Sequence, residues 1–235
     1  MNANPILRLL ADIRTTPSRW LLAVLLVFMF FPGLDIGAAR LFWGGEAGAW
    51  TGGGLIEFFR RVVPTVIVGS FVFCVVLWVA GIWYQQWFWG LTTPRMIYLM
   101  STLVVGPGLT VETLLKPNWG RARPKDITVF GGTADFTPPL WIADECTRNC
   151  SFVSGHAAVA FWVTAYGFIL NDRWRWPAVA AGILFGGVMG LMRMMQGAHF
   201  LSDIVWAGIL VLGVNATFYT LIFRRGVLRR FIREM

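Results

Sequence analysis

The chain has 235 residues, 57% of them hydrophobic and only 14% charged, which excludes an ordinary soluble domain, because so few charges cannot cover so large an apolar share. Lipid is the solvent such a surface calls for, and the length fits one membrane domain over residues 1–235. The net charge of +8, from 20 Lys and Arg against 12 Asp and Glu, suits contact with anionic lipid headgroups, and neither nucleic acid nor an obligate protein partner is expected.

In chain order, Ile6, Leu7, Leu9, Leu10 and Ile13 alternate with Arg8 and Arg14. That pattern suits a short helix lying in the cytoplasmic interface, and a frayed tail fits the same residues. Candidate spans follow at Trp20–Ala38, Val62–Trp83, Met96–Leu115, Ser154–Leu170, Pro177–Met194 and Leu201–Phe223, each near the roughly 20 apolar residues that cross a hydrocarbon core. They predict an all-α bundle of six transmembrane helices. Pro32 and Asp35 follow the apolar stretch of the first span, with no clean small-x-small site after it, so this span is read as a retained anchor and not a cleaved signal peptide. Glycines 106 and 108 in the third span and 182, 186, 187 and 190 in the fifth allow close helix approach and place those two spans in the middle of the bundle.

With the N-terminus inside, the cytoplasmic segments hold 11 basic residues and the outer ones 9, or 6 when Lys116, Arg123 and Arg193 are set aside for chemistry. The excess favours cytoplasmic N- and C-termini. Two loops, Arg40–Arg61 and Lys116–Val153, then fall on the outer, periplasmic side. Cys74 lies in an apolar run as a small core residue, while Cys146 and Cys150 flank a polar segment. In an oxidising compartment that pair should form a disulfide. A lone C-x-x-x-C with no spare histidine does not make a zinc site.

His156 and His199 are the only two histidines, and each stands at the outer end of a predicted span. Asp203 follows His199 by four residues, a spacing that brings both to one helix face. An Asp near the start of an apolar run needs a partner, since burying it at mid-bilayer costs about 2.5–3.5 kcal/mol. His199 is the expected one, and an imidazole held as N–H on one nitrogen keeps a lone pair on the other. Arg193 precedes His199 by six residues, and Lys116 and Arg123 close the third span, with Pro124 stopping the helix. Arginine forks and a lysine suit the oxygens of a transferring phosphoryl group. Ser154-Gly155-His156 opens the fourth span, where a helix N-terminus offers free N–H groups to an anion, and His156 could protonate a leaving alkoxide. Any one of these cations alone would read as a snorkelling interface residue.

Lys116-x6-Arg123-Pro124, Ser154-Gly155-His156 and Arg193-x5-His199-x3-Asp203 together resemble the three-part signature of the type 2 phosphatidic acid phosphatase superfamily, in order and in spacing. The resemblance implies a metal-independent phosphatase without cofactor. In it His199 becomes phosphohistidine, Asp203 orients it, His156 is the general acid, and Lys116, Arg123, Ser154, Gly155 and Arg193 bind the phosphate. Val153 stands where the family usually has Pro, and Met192 where it usually has Ser. Within the superfamily, Phe130-Gly131-Gly132, Phe136-Thr137-Pro138-Pro139-Leu140 and Asn149-Cys150-Ser151-Phe152-Val153 resemble segments of bacterial lipid A phosphatases. That implies a phosphorylated lipid A as substrate, at its 1 or 4′ position, with Arg121, Lys125 and Arg148 free to meet further phosphates or acidic sugars. The enzyme would be a multi-pass protein of a bacterial inner membrane with its site at the periplasmic face. Undecaprenyl pyrophosphate or phosphatidylglycerol phosphate as substrate, and phosphotransfer to another lipid, share the same first step. A transporter fits less well, because its polar sites tend to lie at the midplane of repeated halves.

Overall fold

The computed structural model describes residues 17–45 and 49–225; the expected interfacial helix at Ile6–Arg14 lies outside them. The described residues form an all-α bundle. Its helices are α1 (Pro17–Phe30), α2 (Gly33–Arg40), α3 (Gly54–Trp83), α4 (Thr93–Leu103, continuing in a wide-turn π segment Val104–Leu115 to Asn118), α5 (Gly155–Trp162), α6 (Thr164–Phe168), α7 (Asp172–Met195) and α8 (Leu201–Tyr219, extended by a π turn to Arg224).

Four of these helices are long and apolar enough to cross a bilayer, and a fifth span arises if α1 and α2 are one bent pair. Large apolar side chains line the outside, among them Leu55, Phe58, Val66, Val76, Trp83 and Leu184. Such a surface is stable only against lipid. α3 is the extreme case, with Ile67 and Gly81 its only buried residues.

Three expectations change. The first span is not straight: it turns by 80° between α1 and α2, at Phe31-Pro32, where Pro cannot continue the helical hydrogen bonding. Asp35 is thereby carried away from lipid and into a buried contact described below. The fourth span is short and interrupted at Val163, with α5 buried at Gly155, Ala157, Ala158, Ala160, Phe161 and Trp162. It is the pillar of the bundle, in the place expected for the glycine-rich third and fifth spans. Finally, Arg60 and Arg61 belong to α3 and not to a loop.

The glycines of α7 still serve close approach, but toward α5 and its continuation. A Cβ at Gly186 would collide with the Phe161 ring, one at Gly182 would fall 2.7 Å from Thr164 Cγ2, and one at Gly187 would meet nothing. Two buried polar contacts join the helices at this level: Trp162 Nε1 donates to Thr102 Oγ1 at 3.0 Å and Asn215 Nδ2 to Thr164 Oγ1 at 2.9 Å. In α4, Pro107 removes a backbone donor. Thr110 and Thr113 then donate their hydroxyls five residues back, to Val105 and Gly108 carbonyls at 2.7 and 3.1 Å, as a π turn allows.

The loops close one end of the bundle. Cys146 and Cys150 are bridged, as expected, and Trp119 stacks on Phe152 with ring centroids 4.7 Å apart. Trp43 and Trp50 pack edge-on against Phe130 at 5.4 and 5.3 Å.

Because Gly186 faces a ring and Gly187 faces open space, only the first should suffer from added volume. Gly186→Val should lower the melting temperature in detergent, by an overpacking cost of about 1–3 kcal/mol, whereas Gly187→Ala should leave it within error. Equal melting behaviour of the two variants would contradict the α5–α7 packing.

Candidate active site

The ends of α4 and α7 and the starts of α5 and α8 meet at the loop-covered end of the bundle, and all eight sequence-predicted residues lie in these segments or in the loop beside them. His199 precedes α8 on an extended stretch, so it does not share a helix face with Asp203 as the spacing suggested. It is 2% exposed. Its Nδ1 lies 2.8 Å from the Ser151 carbonyl oxygen and 3.7 Å from Asp203 Oδ2. A carbonyl only accepts, so Nδ1 carries the proton and Nε2 keeps its lone pair. The expected direct Asp203 hydrogen bond is thus replaced by one to the Ser151 backbone, with the Asp203 charge just behind it. Burial holds the imidazole below its ordinary pKa, against the opposing pull of Asp203, so His199 is neutral.

Asp203 itself is fully buried and engaged elsewhere. It accepts from Arg121 Nη1 at 2.5 Å, from Ser151 Oγ at 2.5 Å and from the Phe200 N–H at 2.8 Å. The last bond satisfies one of the free donors at the start of α8. Ser151 therefore ties the histidine and the carboxylate together, its carbonyl on the one and its hydroxyl on the other.

Arg121, read from sequence as a loop residue free to meet substrate, is 0% exposed. Its Nη2 donates to Asp35 Oδ2 at 2.7 Å, its Nη1 also to Ser202 Oγ at 2.9 Å, and its Nε to the Thr137 carbonyl at 2.9 Å. The guanidinium lies 4.3 Å from the Phe200 ring centroid. Asp35 in turn accepts from the Ser202 N–H at 2.8 Å and its hydroxyl at 2.5 Å, so α2 is bolted to the first turn of α8. Sequence reading missed this role for Arg121 and Asp35. The one available signal was Asp35 itself, a carboxylate in an apolar span that must have a buried partner.

The remaining sequence-predicted residues lie around this cluster. Ser154 caps α5, its hydroxyl oxygen accepting from the Ala157 N–H at 3.4 Å, which leaves its proton free for another acceptor. Lys116 is paired with Glu112, at 3.0 and 3.1 Å. A Cβ at Gly155 would collide with the Glu112 carboxylate and approach Lys116 Nζ to 3.2 Å, so the glycine makes room for this pair. Arg123 Nη2 donates to the Asn149 carbonyl at 2.6 Å, within the loop that the disulfide closes. Arg193 is 7% exposed, with one arm on Gln196 Oε1 and a buried Nε that has no partner among the described residues. His156 is partly buried, in the positive field of Arg193, Arg60 and Lys116. Val153, at the position of the usual Pro, is buried in the main core, and Met192, at that of the usual Ser, packs against it. Among the described residues no cluster of His, Cys, Asp or Glu could hold a metal ion.

A neutral histidine with one lone pair, three cations and a helix N-terminus is an arrangement able to accept and attack a phosphate monoester. The profile of the PAP2 superfamily matches residues 94–226. The chain is 36% identical over 204 residues to a lipid A 4′-phosphatase of Francisella tularensis subsp. novicida, covering 84% of this chain and 90% of that protein. It is 34% and 33% identical to lipid A 4′-phosphatases of Rhizobium leguminosarum and Rhizobium etli, over 214 and 210 residues, covering 80% of this chain in each case and 88% and 80% of the relatives. No solved structure matches.

The buried charges make a sharp prediction. Arg121→Leu leaves Asp35 and Asp203 facing each other without a counter-charge, and breaking one side of a buried pair costs about 3–5 kcal/mol. Thermal unfolding in detergent should show Arg121→Leu as far less stable than Lys125→Leu, an exposed neighbour. Similar stabilities would contradict the buried triad.

Proposed function

The chain belongs to the PAP2 superfamily, and from that premise we propose that it hydrolyses a phosphate monoester of a lipid A-type glycolipid through a phosphohistidine on His199. The observation that carries the mechanism is the Nδ1 contact to the Ser151 carbonyl, because it leaves Nε2 as the nucleophilic atom of a neutral ring. Nε2 attacks phosphorus, the bond to the leaving oxygen breaks, and His156, which takes up a proton once the bound phosphate dianion offsets the positive field around it, gives that oxygen the proton. The ring becomes positive as the N–P bond forms. Its Nδ1–H bond strengthens, and the Asp203 carboxylate 3.7 Å away offsets the new charge. Water then attacks the phosphohistidine, and His156 takes the proton of that water. Arg193, Lys116, Arg123, the Ser154 hydroxyl and the α5 N-terminus at Gly155 hold the three non-bridging oxygens, where charge is spread in the transition state.

The reading places this site at the periplasmic face of a bacterial inner membrane, with six spans and cytoplasmic termini. The Cys146–Cys150 bridge in the loop over the site supports it, since such bridges persist in oxidising compartments. Relatives that carry the name lipid A 4′-phosphatase over most of the chain support a glycolipid substrate. With Arg121 buried, the exposed Lys125 and Arg148 are the loop cations left to meet further anionic groups on it. Undecaprenyl pyrophosphate, phosphatidylglycerol phosphate and phosphotransfer to a second lipid remain alternatives with the same first step.

Two experiments follow. In phosphate-release assays His199→Ala should be inactive on every substrate. His156→Ala should lose the most on alkoxide leaving groups, about 10²–10⁴-fold, and keep activity on an activated aryl phosphate. Chelator should leave the wild-type rate unchanged, so loss that divalent metal restores, or lipid turnover by His199→Ala, would sink the histidine mechanism. In a substrate panel lipid A should be turned over faster than short-chain phosphatidic acid, and the reverse order would reject the glycolipid assignment.

A further inference from the structure

Glu57 stands in the first turn of α3, outside the three motifs and outside the 94–226 segment shared with the superfamily. Its carboxylate gathers three side chains. Gln196 Nε2 donates to Oε2 at 3.1 Å, Arg60 Nε donates to Oε2 at 2.6 Å and its Nη2 to Oε1 at 2.5 Å, and Arg61 Nε donates to Oε1 at 2.7 Å. Gln196 is the joint between this carboxylate and the site, because its Oε1 accepts from Arg193 Nη1.

The chemistry of the amide gives the chain of contacts a direction. A carboxylate can only accept, so the Gln196 nitrogen must turn to Glu57 and its oxygen to Arg193. The backbone holds the joint from the other side. Gly52 N–H donates to the Met195 carbonyl at 2.8 Å, and a Cβ at Gly52 would lie 2.5 Å from Gln196 Cγ, so the side chain has little room to swing. One arm of Arg193 is thereby fixed, and its buried Nε is left without a partner among the described residues. The positive charge of Arg60, held by the same carboxylate, reaches both His156 and Arg193.

We propose that Gln196 and Glu57 are positioning residues of the phosphate site: Glu57 fixes the Gln196 amide, and the amide holds Arg193 so that its Nε and free arm face the phosphoryl oxygens. Its catalytic consequence rests on the phosphatase reading above. The first turns of α3 are then a fourth segment of the site, supplied by the helix that otherwise faces lipid. A guanidinium already oriented loses less freedom on meeting the phosphoryl group, and a misplacement of about 1 Å in such a group can cost on the order of 10²-fold in rate.

The test uses the purified full-length protein as wild type, Gln196→Leu, Glu57→Gln, Arg193→Lys and the Gln196→Leu/Arg193→Lys double variant. Inorganic phosphate binding is measured by titration, and kcat and KM with an aryl phosphate. Gln196→Leu should bind phosphate more weakly and lose about 10–100-fold in kcat, with KM moving less. Glu57→Gln, which keeps shape but lets the Gln196 amide turn over, should fall in the same direction. In the Arg193→Lys background Gln196→Leu should add no further loss, because the arm it holds is gone. A full repeat of the loss in that background, or wild-type phosphate affinity in both Gln196→Leu and Glu57→Gln, would overturn the proposal. A wild type that binds phosphate yet releases none from any ester would overturn the phosphatase reading instead, and the binding cycle still decides the positioning.

Discussion

The burial of Arg121 between two carboxylates is the constraint on which the rest of the site depends. Arg121, Asp35 and Asp203 are all without solvent exposure, and charges so placed are tolerated only when every donor and acceptor is matched. The guanidinium fork meets this demand by reaching α2, the first turn of α8 and the loop carbonyl of Thr137 at once. A lysine, with one compact ammonium, could not span the same partners. Three segments far apart in sequence are thereby held in one geometry.

From that geometry the state of His199 follows. Asp203 is occupied by Arg121, Ser151 and the Phe200 N–H, so it supplies a fixed negative charge near the ring without being its closest acceptor. The Ser151 carbonyl sets the tautomer. The triad sums to one negative charge, which lies behind the imidazole, whereas Lys116, Arg123 and Arg193 are the cations of the candidate site. The electrostatic arrangement is polarised: on the proposed mechanism a positive charge on the ring would be met by Asp203, and an anion by the cations.

The membrane explains why these groups gather at one end. Within the bundle the helices pack through small residues and a few matched polar pairs, such as Trp162 with Thr102 and Asn215 with Thr164, and they present apolar side chains outward. Ionised groups have no stable place along that length. Where α4 and α7 end and α5 and α8 begin, free backbone donors and acceptors already require polar partners, and a charged site can be built there at least cost.

The local pattern of the chain determined its class, its helices and its motif residues. Apolar runs of the right length mark four of the six expected spans as continuous helices, and the order and spacing of Lys116, Arg123, Ser154-Gly155-His156, Arg193, His199 and Asp203 mark the candidate site. The paired Cys146 and Cys150 were also legible. Tertiary structure alone decided what lies between those residues. No spacing rule joins Asp35 to Arg121 across 86 positions or Glu57 to Gln196 across 139. Nor does one say that the Ser151 carbonyl, rather than Asp203, accepts the hydrogen bond from His199 Nδ1, because the extended stretch before α8 breaks the helical register on which an i, i+4 argument depends. The 80° turn at Pro32 and the burial of α5 have the same origin. A buried charge needs a partner and a short apolar helix needs a cover, but which segments supply them is decided only when distant parts of the chain compete for the same interior space.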